Sequence, residues 1–527
     1  MQRMNRRDFL KAAGFSGVGL ALAACAAPGA APAADTSGAS PASEPVVITL
    51  VESWFGVPQF RESIEPVTQA ISEKMQREGL NIELRSLLLD QHQEKYPALY
   101  AAGSDFTMAF DAPWYQMSTL RNQGALAPLE DLIEEHGPQL KEAITDTIYN
   151  ANFMNGHLYG IPAAYYYGQT GGVMFREDLR QKYGAEMPTS EEGWTSLESF
   201  LQAVLDNEPD MIPFVNIATQ SMIGYTRGRK GWSPAGLDGT GVTIPNIEEG
   251  FVFVDEEDDP AIVENAQILR SWWEKGYINK TDMPTSGTSQ NSQIDYIYPG
   301  HAASCVENEP DYKWVDQTKQ MKASFPDASL FGVDMTGQSA GVKGLGVLKQ
   351  FNFIVFNVNA PEEQIVAGIQ FFNWLASSQD NLDLWLMGIE GENYIKEDNM
   401  RFSEVEGIDA TRNYRRQWYV SGMSGRYQRL PADLPKEAEE TIAFLTNADN
   451  FIFNPHEGFE PDTKALELDM AKLNAVYLEA VHGLASGQLP TDEARAMMKD
   501  TLDSAGRQEY KEKLQAQLDA YIEANPQ

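Results

Sequence analysis

The sequence predicts an α/β protein of two lobes followed by a helical C-terminal region. Three observations carry this. From Val46 to Phe110 apolar, β-branched runs alternate with helical stretches at the spacing of βαβ units. An extended stretch from Gly156 to Tyr167 then leads to Gly171-Gly172-Val173-Met174-Phe175 and reads as a crossing from one lobe into another. The last part, from about Asp462 to Glu523, is almost wholly helical. A chain of 527 residues has room for two or three domains.

The N-terminus is not part of that fold. Asn5-Arg6-Arg7-Asp8-Phe9-Leu10-Lys11 is a twin-arginine charged region, followed by a small and apolar run from Ala12 to Ala23. Leu22-Ala23-Ala24-Cys25 closes it in the manner of a bacterial lipobox. A basic start, an apolar stretch too short to span a bilayer and a small-residue cleavage site make residues 1–25 an export signal. Cys25 is then the expected lipid anchor, at the outer face of the cytoplasmic membrane. Residues 26–44, rich in Ala, Pro, Ser and Gly, read as a flexible tether.

The folded part starts at Val46-Val47-Ile48-Thr49-Leu50-Val51, a continuous apolar run typical of a buried strand. A helix from Ile64 to Glu78, a strand from Asn81 to Leu87, a helix from Gln91 to Ala101 and a strand from Phe106 to Phe110 follow, and imply a parallel sheet. Short helices are expected at Met117–Asn122 and Leu129–His136, and a further helix ends at Leu205. An amphipathic helix covers Ala261 to Lys275, and Ala302 to Val306 is a short strand ending in Glu307-Asn308. Phe353 to Phe356 is a strand before a helix from Pro361 to Ser377, and Pro490-Thr491-Asp492 opens a fresh helix in the tail. Trp272, Trp273, Phe371, Phe372 and Trp374 fall on amphipathic helices and are expected in the core. No fixed-period repeat marks a solenoid.

Composition excludes several functions. The formal charge is −36, and loss of residues 1–25 removes four cations and one acid, leaving −39. Such a surface repels phosphate backbones, so nucleic acid is not an expected partner. Only Cys25 and Cys305 are present, so a lipid on Cys25 leaves Cys305 without a disulfide partner, as a small buried hydrophobe. Asp255-Glu256-Glu257-Asp258-Asp259 lacks the alternating ligands and central glycine of an EF-hand loop and reads as a solvated turn. Gly337-Gln338-Ser339-Ala340-Gly341 has the G-x-S-x-G form of a hydrolase nucleophile, but a glycine-rich loop follows where a helix is needed. No Walker loop, H-E-x-x-H motif or Cys/His cluster occurs, and no carboxylate pair stands out. Neither a catalytic residue, a cofactor nor a metal is expected.

Aromatics are the positive signal. In open α/β sheets ligands sit beyond the carboxyl ends of strands. Trp54 follows the first strand there, and Asp111, Trp114 and Tyr115 follow the third. An aromatic face stacks on the C–H face of a sugar ring while carboxylates and amides bond its hydroxyls. Trp54, Trp114, Tyr115, Tyr165, Tyr166, Tyr167, Trp232 and Trp314 suit the first role; Asp111, Gln169, Glu307, Asn308 and Asn352 suit the second. For each loop aromatic, packing in a core stands open beside binding.

With the lipobox and tether, a set of segments resembles a known family. These are Gly160-Ile161-Pro162, Val173-Met174-Phe175-Arg176-Glu177-Asp178-Leu179, Met187-Pro188-Thr189-Ser190, Trp273 to Lys280, Gly388-Ile389-Glu390-Gly391-Glu392-Asn393-Tyr394 and Leu502-Asp503-Ser504-Ala505-Gly506. In this order they are similar to the extracellular solute-binding lipoproteins of carbohydrate ABC transporters, in the LipO-like and alginate-oligosaccharide-binding branch. The resemblance implies a type II periplasmic-binding-protein-like fold, two lobes closing about a hinge on a sugar that is passed to ABC permease subunits. Chain order then puts lobe one at 45–162 plus 330–390 and lobe two at 163–329 plus 391–527. The calcium loop of alginate-binding relatives has no good match here, and the acidic charge points to a neutral oligosaccharide. The expected protein is a non-enzymatic monomer. A peptide or other polar solute as ligand, a secreted carbohydrate-active enzyme and a purely structural surface lipoprotein are the alternatives.

Overall fold

The structure, a computed structural model, describes residues 44–526 except 53–59, 90–91, 104, 155, 164–165, 169, 219–220, 225–229, 235–238, 282–292, 309 and 417–427. Residues 1–43, with the expected export signal, Cys25 and all but the last residue of the expected tether, lie outside the described residues.

β1 (Val46–Glu52), β2 (Ile82–Leu88), β3 (Met108–Asp111) and β4 (Gly160–Pro162) belong to one five-stranded sheet. α1 (Arg61–Arg77) links β1 to β2, and α2 (His92–Ala101) links β2 to β3, as the βαβ spacing requires. Side chains alternate across a strand, so β1 feeds two cores. Ile48 and Leu50 pack with Ile64, Val67, Ile71 and Met75 of α1, while Val51 packs with Tyr96, Phe106 and Ala109 on the other face.

β5 (Gly171–Arg176) lies at the centre of a second sheet, between β6 (Ser304–Asn308) and β7 (Leu330–Asp334), antiparallel to both. β8 (Phe353–Phe356) completes the first sheet in the order β2-β1-β3-β8-β4. Here the parallel expectation holds only in part: β1 is parallel to β2 and β3, whereas β8 is antiparallel to β3 and β4. The reason is topological. The chain leaves the first sheet at the carboxyl end of β4 and re-enters at that same end, where Phe353 meets Asp111 and Pro162, so β8 runs back down between β3 and β4.

Two lobe boundaries move. Residues 330–334, expected in lobe one, are a strand of the second sheet, because β5 offers a free ladder on each side. Tyr394, Phe402 and Tyr414, expected in lobe two, pack in the first core. Arg416 goes with them. Its guanidinium donates two hydrogen bonds of 2.6 Å to the Glu52 carboxylate, and both side chains are sealed from solvent. Ser86 adds a hydroxyl bond of 2.8 Å to Glu52.

The tail docks on the second core. α3 (Pro260–Lys275) supplies Leu269 and Trp272; α4 (Pro310–Lys322) lies against β7; and α5 (Glu362–Ser377) buries Phe371, Phe372 and Trp374 in the first core. Trp273 is only partly buried, with Arg270 and Lys280 over its ring. α6 (Thr463–Ser486), α7 (Thr491–Ser504) and α8 (Arg507–Ala524) contribute Leu466, Leu473, Leu502, Leu514 and Leu518 to the second core. The acidic run at 255–259 is not the solvated turn expected. Asp255, Glu257 and Asp259 are buried, and fully buried Arg507 donates to Glu257 at 2.5 and 2.7 Å and to Asp503 at 2.9 Å. Lys511 reaches Asp255 at 2.5 Å. Asp259 caps α3 by accepting from the Ala261 amide. The acids were read as solvated because their cations lie some 240 residues further along the chain, about the separation of Lys499 from Asp255.

Removing one partner of a buried ion pair leaves a desolvated charge. Arg416→Ala should therefore cost about 3–5 kcal/mol in urea unfolding, and a loss below about 1 kcal/mol would show that the Glu52 contact is not needed. Burial alone would raise the Asp255 pKa, but Lys511, Gln508 and the charge of Arg507 lower it to about 2. A depressed native pKa gives stability that is present above the ordinary value of 3.8 and fades as pH falls towards 2. Asp255→Asn should flatten the melting-temperature profile between those pH values relative to wild type. Parallel profiles would contradict the assignment.

Candidate functional site

The two sheets bring their strand ends together at the crossing. On the first, Phe353 pairs with Asp111 and with Pro162, and the Ala163 amide donates to the Asn352 carbonyl at 3.0 Å. On the second, Gly171 pairs with Asn308 and Gly172 with Asp334. Only eight residues separate Pro162, at the end of β4, from Gly171, at the start of β5, and the pairings of Phe353 and of Gly171–Gly172 put the carboxyl ends of β3, β4, β6 and β7 at the two ends of that short segment; in open α/β sheets ligands bind beyond such ends. The passage is tight. A Cβ on Gly172 would lie 2.1 Å from the Val333 carbonyl oxygen, and one on Gly168 would lie 1.9 Å from the Phe451 ring. The Tyr167 amide donates to the Leu445 carbonyl at 2.9 Å, and its own carbonyl accepts from Val347 at 2.7 Å. Tyr167 thus stitches three chain passages between the lobes, and its ring packs on Phe453. Further out, Glu460 draws Arg121 to 3.5 Å and Lys349 to 3.7 Å.

Asp111 has a different role from the one expected. It is fully buried, and both its oxygens are engaged within the protein. One accepts from the Ala112 amide at 2.7 Å and the Gln116 amide at 3.0 Å; the other accepts from the Tyr96 hydroxyl at 3.0 Å. The carboxyl therefore shapes the turn that presents Trp114 and Tyr115 rather than offering itself to a ligand. Tyr96 supports the same turn by stacking on Tyr115 at 5.9 Å. Trp114 is left 40% exposed and Tyr115 half-buried.

On the second lobe Glu307 is buried, accepts from the Gln317 amide at 2.9 Å and lies 3.7 Å from Lys313. It also accepts from the backbone amide of Asn308, which leaves Asn308 half-buried at the edge. Asp311 accepts from the Thr170 hydroxyl at 2.7 Å; burial first, then the charge of Asp334, raises its pKa to about 7. Tyr166 meets the Tyr312 ring edge-on at 6.2 Å. Asn352 is half-buried, with an amide oxygen that is shielded from solvent and accepts no hydrogen bond. Trp232 is buried in the second core against Phe251 and Phe459. Trp314 likewise packs on Phe331. Trp54, Tyr165 and Gln169 lie outside the described residues.

The serine motif carries no nucleophile geometry. A strand precedes it, but no helix follows, and Ser339 donates its hydroxyl to Asp334 at 2.9 Å. Phe351 is the residue that sequence reasoning missed. It is 48% exposed beside Asn352, and a phenylalanine just before an apolar strand looks like core.

A profile described as "Bacterial extracellular solute-binding protein" matches residues 71–390, from within α1 to beyond α5. The chain belongs to that family. A domain of unknown function, DUF3502, matches residues 455–523, the helical tail of this solute-binding protein. A "Carbohydrate ABC transporter substrate-binding protein" of Streptococcus pneumoniae serotype 4 is 25% identical over 235 residues, 44% of this chain. The chain spans 45% of the length of that relative. The N-glycan transport solute binding protein NgtS of Streptococcus pneumoniae superposes with a TM-score of 0.70 at 18% identity, covering 92% of this chain and all of that one. An HMO-binding solute-binding protein of Bifidobacterium longum infantis gives 0.58 at 14% identity, over 91% and 99%. Alginate-binding protein AlgQ2 gives 0.59 at 14%, over 90% and 98%. These likenesses establish the type II periplasmic-binding-protein-like fold.

Burial raises Asp111 to about 7 despite the amides and hydroxyl that it accepts. A raised native pKa gives stability that is complete below the ordinary value of 3.8 and is lost as pH rises through 7. Wild type should therefore lose stability relative to Asp111→Asn between those limits, read as the difference of their melting temperatures. A constant difference would mean that Asp111 stays ionised in the fold.

Proposed function

We propose that the protein is an exported, lipid-anchored binding protein that closes on a neutral oligosaccharide and delivers it to the permease subunits of an ABC importer. The observation that carries the reading is the shared edge of the two sheets in a solute-binding family member. There Trp114 stands exposed on the turn closed by buried Asp111, while half-buried Asn352 and Asn308 stand at the ends of strands of the first and the second sheet. The pneumococcal relative is itself named for carbohydrate transport, NgtS for N-glycan transport, AlgQ2 for alginate binding and the Bifidobacterium protein for HMO binding. Trp114, Tyr115, Tyr166, Asn308 and Asn352 form the contact set, together with Trp54, Tyr165 and Gln169. Tyr167 belongs to the hinge, Asp111 and Glu307 act as supports, and Trp232 drops out.

A neutral ligand follows from charge. A formal −36 disfavours an acidic sugar. No catalytic role is assigned, since Ser339 is tied to Asp334 and Asp111 to its turn. Cys25 would carry the lipid and residues 26–44 the reach. Among the described residues no helix is long and apolar enough to cross a membrane. Hinge closure would be stabilised by a ligand that touches both lobes.

Purified residues 45–527, screened by thermal shift against mono- and oligosaccharides, test this. A ligand at about 100 times its Kd should stabilise the fold by about 2.7 kcal/mol and be recovered unchanged. A flat response to every sugar would overturn the carbohydrate reading, and a consumed sugar would make the protein an enzyme.

A further inference from the structure

Glu460 lies near the start of the domain of unknown function at 455–523 and holds two cations that belong to the other lobe. One of its carboxylate oxygens is 3.5 Å from Arg121 and the other 3.7 Å from Lys349. Both ends of this contact are fixed. On the tail side, neighbouring Phe459 is buried in the second core, edge-on to Trp232 and Tyr521, and His456 meets Phe251 edge-on at 4.5 Å. Two residues after Glu460 the Asp462 amide donates to Gln517 of α8 at 2.7 Å, and the Asp462 carboxylate caps α6. On the other side, Arg121 lies on the short helix Met117–Asn122, whose Met117 and Leu120 pack with Val51 and Phe353 of the first sheet. Lys349 stands between Leu348 of the first core and Gln350, whose amide donates to Asn152 at 2.8 Å. Glu457 faces Lys349 as well: burial raises its pKa, while the charge and the backbone amide of Lys349 draw it down.

In a chain with 76 acids and only 40 bases, two cations on one carboxylate mark a fastening, as three do at Asp255, where the tail is fixed to its own core. Glu460 differs in two respects. Its backbone belongs to one lobe and its partners to the other. Its pairs are also looser. Glu52–Arg416 and Glu257–Arg507 close to 2.5–2.7 Å with side chains at most 1% exposed, whereas Glu460, Arg121 and Lys349 each keep 15–18% of their side-chain surface in solvent. Contacts of the first kind are permanent, because breaking them strands a buried charge. A contact of the second kind is screened by salt and can be released into water. It can still bias two lobe arrangements that are finely balanced. Its position suits that role: Lys349 follows Val347, whose amide donates to the Tyr167 carbonyl in the crossing, and Arg121 follows the turn that presents Trp114.

We infer that Glu460 is a releasable latch between the lobes: the tail, fixed to the second lobe, holds the first through Arg121 and Lys349 and lets it go when the lobes move. This gives the domain of unknown function a part in setting lobe position. The inference goes beyond the carbohydrate reading, and its test uses no ligand, so the two stand or fall separately.

Spin labels at Glu135→Cys on the first lobe and Asp492→Cys on the second, both exposed, give an interlobe distance by pulsed electron resonance, with buried Cys305 left unlabelled. Residues 45–527, one compact unit, should give a single narrow distribution in about 0.01 M salt and a second population in about 1 M. Glu460→Gln should raise the ratio of second to first population about fivefold in low salt, the size of two partly exposed ion pairs, with the melting temperature of wild type. Glu460→Arg should raise it further, and adding Arg121→Glu and Lys349→Glu to that variant should restore the wild-type distribution. Identical distributions for wild type and Glu460→Arg at both salt levels overturn the latch. A shift in Glu460→Arg that the reversed charges leave in place overturns it too, since the cause would then not be the ion contact.

Discussion

Glu52 ends the first strand with a charge that water does not reach, and Arg416, 364 residues later, is what makes that position tolerable. A buried carboxylate of this kind requires a paired, hydrogen-bonded cation. Satisfying it brings the late chain back under the first sheet, where Tyr414 and Phe402 complete the core. Arg416 also lies over the Trp385 ring at 4.0 Å, so the pair is joined to the helical layer of the same lobe. Lobe one is therefore discontinuous by electrostatic necessity as well as by topology.

The second lobe uses the same device at its other end. Arg507 at the start of α8 meets Glu257 and Asp255 from a loop some 250 residues earlier, and three helices settle on the core around it. Between these two locks the backbone bonds of Tyr167 to Leu445 and to Val347 connect passages distant in sequence. Each core is thus braced by its own buried ion pair.

Much of this was legible in the sequence. The β-branched run at Val46, the strand at Phe353 and the helices after Asp462 follow from periodicity and capping residues, which are local properties. The lobe crossing between Pro162 and Gly171 was legible too, because glycine and proline punctuate it. Site residues were harder. Asp111 sits where a ligand-binding acid belongs, yet the amides of Ala112 and Gln116 and the Tyr96 hydroxyl already occupy it. Trp232 has the loop setting of a binding aromatic and is core. Phe351 has the setting of a core residue and is exposed.

By itself the sequence determined the α/β class, the order of strands and helices, the acidic surface and the export-signal pattern, because each depends on residues close in the chain or on composition alone. Tertiary structure decided which strands run antiparallel, which sheet or core takes 330–334 and 394–414, which acids are neutralised and which aromatics are buried. Those are pairings between segments hundreds of residues apart. A side chain's exposure depends on what packs against it from elsewhere, and no local pattern carries that information.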